Sequence, residues 1–481
     1  MRLYKLYTWS VVLEPLLFFT GLGATVGVGV SLARGLQLIF IVLYFMASLT
    51  KPIYSLNNSF FRSSLSCLKN HYWAFLFVSL TGSSLVFLSH LLTNDPFFKI
   101  VFWPGEMALL HHAYVRPFFE IIIYLYYFWY FVILPHKIFK NIGHLRYFFK
   151  VFSSVFIFNL FLGYVDIVAA WAKIHIIPRH LIEALMGSAV FVGPRFHGLA
   201  GEPRDAFVYL VLGLAIYLLT TVVLKRKINY LYISVILLAL VLTQSASGLI
   251  GILLFILLAL ITGTCYGYVK IRHLIFIVLF SSVMIIAIVY SSERMMPYIT
   301  SIQSLFKNFQ TWQFSEKLEV AKVLEGQLVN IVPILHILKE LTIYNFFPIL
   351  FGNGIGTSSI INGFVGKNIG LSSGVYGNPN AQVIRLIYEF GIIGTSLFVL
   401  SMIRPLILLS TKVRELKINT RIIIISMLAM LGCSLAQRNS SIFIFLGMAH
   451  VSLLILKVTY SEELSGKGPN RICEGGCGAG L

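Results

Sequence analysis

The stretch AFVYLVLGLAIYLLTTVVLKRKINYLYISVILLALVLTQSASGLIGILLFILLALITGTCYGYVKIR (residues 206–272) decides the fold class. Three apolar runs, at 206–224, 229–243 and 247–268, are punctuated by Lys225-Arg226-Lys227 and closed by Lys270 and Arg272. A hydrocarbon core about 30 Å thick needs roughly 17–25 mostly apolar residues per helix at about 1.5 Å rise each. These runs therefore read as membrane spans, and the basic clusters at alternate connections mark the cytoplasmic side.

The same pattern extends in both directions. Further spans are expected near 8–31, 35–50, 73–92, 117–135, 151–171, 274–291, 381–403, 421–437 and 441–457, which brings the total to twelve. With the N-terminus in the cytoplasm, every short inner connection is basic, and these connections and the two termini hold more than half of the 37 Lys and Arg residues. The run after Arg2 and Lys5 has the outline of a signal peptide, ending near Ser31-Leu32-Ala33. Removing it would invert the charge parity, so it reads as a retained span. The class is an all-α polytopic membrane protein of about twelve helices. Residues 1–457 form one transmembrane domain, and 458–481 form a cytoplasmic tail expected to be disordered.

Composition agrees. The chain is 481 residues long, 58% hydrophobic and 11% charged, with a mean hydropathy of +0.86. That much apolar surface exceeds what one soluble core hides. The formal charge of +19 is spread as short clusters between spans, so it is an orientation signal and not a nucleic-acid footprint. Five cysteines, with Cys67, Cys265 and Cys433 in or near spans and Cys473 and Cys477 in the tail, exclude a disulfide scaffold.

Three external segments stand out by length: 93–116, 172–205 and 292–380. The last is long for a membrane-protein connection and is expected to be functional and to contain short helices. Its stretch 315–325 spaces charges at three and four residues, as an exposed amphipathic helix does. His111, His112 and Glu106 share one loop without a third ligand at metal spacing, so no metal and no cofactor is expected.

The most informative polar stretch is Pro194-Arg195-Phe196-His197-Gly198-Leu199-Ala200-Gly201-Glu202-Pro203-Arg204-Asp205, just before the sixth span. Gly198 and Gly201 allow tight turns, and Pro203 disfavours helix at Glu202. Arginine forks bind phosphate at two points, so Arg195 and Arg204 suit a diphosphate, with Glu202 placed as a base or to orient one arginine. His197 and Asp205 join them as substrate-binding candidates. The plain alternative is a set of interfacial charges that neutralise one another.

A second constellation runs from Phe351-Gly352-Asn353-Gly354-Ile355-Gly356-Thr357-Ser358-Ser359 to Asn380, Arg385 and Glu389. Its glycines do not sit in a βαβ unit, so dinucleotide binding is not expected, and Gly354 reads as part of a turn. Arg385 and Glu389 are four residues apart and share one helix face near the outer end of the tenth span, where they either neutralise each other or, with Gly354 and Asn380, join the substrate-binding candidates. Glu14, Glu120 and Asp166 lie in or beside spans, where an ionisable group lines a pathway or pairs with a neighbouring helix.

Together, R-x-x-G-x-x-x-E-P at 195–203, L-T-Q-S-A-S-G-L at 242–249, F-G-N-G-I-G at 351–356 and N-P-N-A-Q-V-I-R-L-I-Y-E-F-G-I-I-G at 378–394 resemble the O-antigen polymerase and ligase superfamily. The resemblance implies a metal-independent GT-C-type glycosyltransferase in a bacterial inner membrane, acting on glycans carried by undecaprenyl diphosphate at the periplasmic face. It implies diphosphate contacts for Arg195 and Arg204, with Arg385 a further candidate. Ligases of this family usually carry a histidine where this chain has Asn380, so the resemblance favours a polymerase of repeat units over a ligase to lipid A core. A flippase of lipid-linked oligosaccharides is the alternative of another class, one that predicts more charge inside the bundle. Expected partners are the lipid-linked glycan and membrane lipids, with a chain-length regulator protein as an additional candidate and no nucleic acid.

Overall fold

The computed structural model describes residues 3–16, 31–50, 59–93, 116–172, 195–200, 203–243, 346–358, 382–410 and 440–464, with a few short pieces elsewhere. The helices are α1 (Leu3–Val12), α2 (Leu32–Thr50), α3 (Ser59–Thr93) and α4 (Arg116–Tyr127). α4 continues through a π-helical turn (Phe128–Ile133) into α5 (Leu134–Ile138). Then follow α6 (Ile142–Trp171), α7 (Pro203–Val223), α8 (Tyr230–Leu242), the short α9 (Phe346–Phe351), α10 (Gln382–Ser410) and α11 (Ser441–Leu464).

Six of the described helical segments are long and apolar enough to cross a bilayer: Leu32–Leu49, Phe118–Ile138, Ile142–Trp171, Asp205–Val223, Val383–Ser410 and Ser441–Thr459. Each coincides with a span expected from sequence, and α8 matches the short one at 229–243. The spans expected at 247–268, 274–291 and 421–437, the helix at 315–325, the loop with Glu106, His111 and His112, and the end of the tail fall wholly or almost wholly outside the described residues.

Side-chain contacts fix how the helices run. Tyr72 stacks on Phe128 while Phe75 meets Tyr124, so α3 and α4 are antiparallel. Tyr7 packs on Tyr130 and Phe40, and the Glu14–Arg34 pair closes the other end, so α1 opposes both α2 and α4. Arg404 of α10 donates to His71 of α3 while Phe398 packs on Phe75. Phe443 and His450 of α11 meet Tyr124 and His136 in turn. Thus α1, α3, α6 and α8 run one way, and α2, α4–α5, α7, α10 and α11 the other. That is the parity the charge pattern predicts, with Lys5, Lys137, Lys140, Lys225, Arg226, Lys227 and Lys457 at one shared end.

Local chemistry sets several boundaries. Asn141 accepts from the backbone N–H of His144 at 3.0 Å and starts α6 earlier than hydropathy alone suggests. Asn229 does the same for α8 through Tyr232. Pro135 supplies no N–H and crowds the carbonyl one turn back, and the π turn precedes it. Gly447 of α11 lies directly on the Phe131 carbonyl there, a backbone approach only a small residue permits.

The first span differs from the expected continuous run 8–31. α1 stops at Val12, and Leu13–Pro15 form a turn, because Pro15 disfavours helix at the residue before it. Glu14 in that turn is buried against Arg34, 2.7 Å away, and accepts from Gln37 Nε2 at 2.7 Å. Tyr126 donates to Gln37 Oε1 at 2.6 Å, and Arg34 lies over the rings of Tyr126 and Tyr127. Non-helical backbone and charge at this depth survive only when protein supplies the partners. Replacing Arg34 with Met is expected to destabilise the protein by about 2–3 kcal/mol, below the usual loss for a broken buried pair because the Arg34 side chain is 37% exposed. Thermal melting in detergent checks this, with Glu14→Gln expected to be milder.

Candidate functional site

The segment 195–200 precedes the sixth span, as expected from sequence, and the structure seats it against α6 and the end of α8. Phe196 donates its N–H to the Leu242 carbonyl at the end of α8, at 3.0 Å, and its ring lies on Gly163 of α6. Leu199 N–H donates to Asn159 Oδ1 at 2.7 Å. The chain turns at Gly198, whose φ of 57° favours glycine and whose missing Cβ leaves room for the Asn159 amide. These bonds explain how irregular backbone is tolerated beside membrane helices: a helix-end carbonyl and a buried asparagine take the places of water. Arg195 is half-buried and His197 is buried. Asp205 sits half-buried in the first turn of α7, where a carboxylate complements the helix dipole. Arg204 belongs to that same turn. Glu202 and Asn380 lie outside the described residues.

The second constellation is assembled tightly. Arg385 and Glu389 on α10 are paired, Nε to Oε2 at 3.1 Å, as the four-residue spacing predicts. The other end of the guanidinium meets Glu120 of α4, with Nη2 2.7 Å from Oε2. Glu389 Oε1 in turn accepts from the Ser358 hydroxyl at 2.5 Å. All four side chains are buried. A single chain of polar contacts therefore joins α4, α10 and the end of the glycine-rich loop.

The backbone completes the joint. α10 breaks at Gly391, whose φ of 65° and ψ of −174° interrupt the helical ladder. Helix carbonyls just before the break are claimed by the loop. Asn353 N–H donates to the Tyr388 carbonyl at 2.8 Å, and Gly354 N–H to the Glu389 carbonyl at 3.2 Å. Gly352, with φ of 83°, and Gly391 face each other so closely that a Cβ on either would collide with backbone across the joint. Gly352 thus serves close packing on a broken helix, and Gly354 carries a hydrogen bond that fixes the loop there. α9, just before the loop, touches α3 where Phe351 lies against Gly82. Part of the expected external loop 292–380 is therefore packed into the bundle.

Of the residues singled out from sequence, the structure unites Gly354, Arg385 and Glu389 on α10 and its docked loop. Arg195 and His197 belong to the segment seated on α6 and α8, and Asp205 to the first turn of α7. Sequence reasoning included Ser358 at the end of the glycine stretch without a role, and it noted Glu120 only as an ionisable group in a span. The signal for Glu120 was present: one carboxylate in the apolar run 117–135 needs a cationic partner, and Arg385 is a lone base in another such run. Ser358 carried no comparable signal, because serines at helix and loop ends are common.

Comparison of the chain with protein-family models, with curated proteins and with solved structures gives no match.

Proposed function

We propose that the protein is a membrane-embedded glycosyltransferase that polymerises repeat units carried on undecaprenyl diphosphate. The observation that carries this reading is the Glu120–Arg385–Glu389–Ser358 chain fastening the loop F-G-N-G-I-G to a broken span. It makes one built unit of two stretches on which the family resemblance rests, 351–356 and 378–394.

In the proposed reaction a sugar hydroxyl of one lipid-linked unit attacks the anomeric carbon of a growing chain. The new C–O bond forms as the bond to diphosphate breaks, the hydroxyl proton passes to a carboxylate for which Glu202 is the candidate, and undecaprenyl diphosphate leaves. Arg195 and Arg204 take up the developing charge, and preorganised donors of this kind are typically the largest catalytic term. Arg385 enters as the partner of Glu389, since two carboxylates already engage its guanidinium.

The test is a polysaccharide gel from a deletion strain complemented with wild type, Arg195→Ala, Glu202→Ala or Arg204→Ala at matched membrane levels. Deletion is expected to leave surface glycan at one repeat unit, and each substitution is expected to lower ladder formation by about 100-fold or more. Finished polymer accumulating on undecaprenyl diphosphate would contradict this and assign a ligase. One observation favours a flippase as second reading: Glu14–Arg34 and the His136–His450 pair, 2.6 Å apart, put ionisable groups inside the bundle. Single units trapped at the cytoplasmic face would support it.

A further inference from the structure

We infer that Glu120 is a positioning residue for Glu389, acting through the Arg385 guanidinium, a role that rests on the proposed reading with Glu389 taken as one of its substrate-binding residues. An i,i+4 arginine on its own helix has freedom to swing, because its four-bond stem reaches solvent, backbone or lipid headgroups as readily as the neighbouring carboxylate. Glu120 removes that freedom. It approaches from α4, a different helix, and holds Nη2 at 2.7 Å, which leaves Nε aimed at Glu389 Oε2 at 3.1 Å. With Oε2 held there, Glu389 Oε1 is the oxygen that accepts a hydroxyl, and it takes that of Ser358 at 2.5 Å.

The division of labour within the carboxylate follows from geometry. A carboxylate with one oxygen on a guanidinium and the other on a hydroxyl has a fixed plane, and a sugar hydroxyl that takes the place of the Ser358 hydroxyl at Oε1 is accepted only near that plane. Burial strengthens the constraint, since Glu120, Arg385 and Glu389 are each at most 3% exposed and water does not compete for the guanidinium. Glu120 also lies on the part of α4 packed by Tyr124 against Phe75, Phe390 and Phe398, so its helix is anchored to α3 and α10. The anchor for Arg385 is therefore rigid.

The experiment uses the full-length protein in detergent with undecaprenyl-diphosphate-linked single repeat units. Glu120→Ala is expected to lower kcat about tenfold or more with KM within about twofold, because orientation and not binding is lost. Glu120→Gln restores part of kcat, as its amide oxygen still faces Nη2, and it carries the test if the alanine variant does not fold. In melting measurements, Glu120→Gln and Arg385→Gln are expected to be non-additive, the double variant melting no lower than the worse single one. A Glu120→Ala protein with lower melting temperature but unchanged kcat per folded molecule overturns the role and leaves a brace. A raised KM with unchanged kcat also overturns it, by making Glu120 a ligand contact. A wild type that elongates nothing while the melting cycle is non-additive overturns the functional reading itself.

Discussion

Arg385→Met is expected to destabilise the protein by about 3–5 kcal/mol, the range for removing one partner of a buried ionic cluster. The substitution strands Glu120 and Glu389 together, both buried and both previously facing one guanidinium. Two buried carboxylates left without a cation repel each other and draw in water, and both effects loosen the joint between α4 and α10. Chain growth is expected to fall below detection along with stability. Arg385→Lys separates the effects. The ammonium retains the charge and much of the stability, but as a compact point charge it does not hold two carboxylates in the fixed planes of a guanidinium fork, so activity is lost in excess of stability. Melting temperature and chain growth on the same preparations check both claims, and an unchanged melting temperature in Arg385→Met would mean that the cluster does not form.

The second large effect is expected at the glycine joint. Gly352→Ala and Gly391→Ala each place a methyl group against backbone: the Glu389 carbonyl in the first case and the Leu350 carbonyl in the second. Backbone does not yield as a flexible side chain does, and both positions have positive φ, at 83° and 65°. The left-handed conformation contributes about 1–2 kcal/mol of strain and the collision about 1–3 kcal/mol more. The expected outcome is a loop released from α10, with Ser358 withdrawn from Glu389. Limited proteolysis near 351–358 is expected to become faster in either variant. Gly35→Ala is the control: nothing lies within 4 Å of a Cβ there, and it is expected to be neutral or to stabilise α2 by about 0.5–1 kcal/mol.

Among the described residues, the long apolar helices and their alternating directions were legible in the sequence because bilayer thickness and backbone satisfaction leave a chain few options. The six long apolar helices and α8 fall where hydropathy places them. Two departures have local causes that hydropathy averages away. Pro15 ends α1 at a turn that buries Glu14, and helix continues through Arg62 and Lys69 in α3. The Arg385–Glu389 pair was legible from spacing alone. Glu120 was legible only as a span carboxylate in need of a cation, because it lies more than 200 residues away and pairing across helices depends on rotation about each helix axis, and Ser358 carried no signal of its role. The role of Gly352 was equally hidden. Nothing in F-G-N-G-I-G states that its partner is a second glycine where a span breaks. For 195–200, sequence named the residues, but their seat among α6 and α8 depended on Asn159, an ordinary asparagine in an apolar run.

The most direct test of the functional account is reconstitution of the purified protein in proteoliposomes with undecaprenyl-diphosphate-linked single repeat units and no other enzyme. The account predicts a ladder of longer chains, with one undecaprenyl diphosphate released per bond formed and no ladder from Arg195→Ala or Arg204→Ala. Units that cross the bilayer but remain single, or that move only to lipid A core, would contradict it.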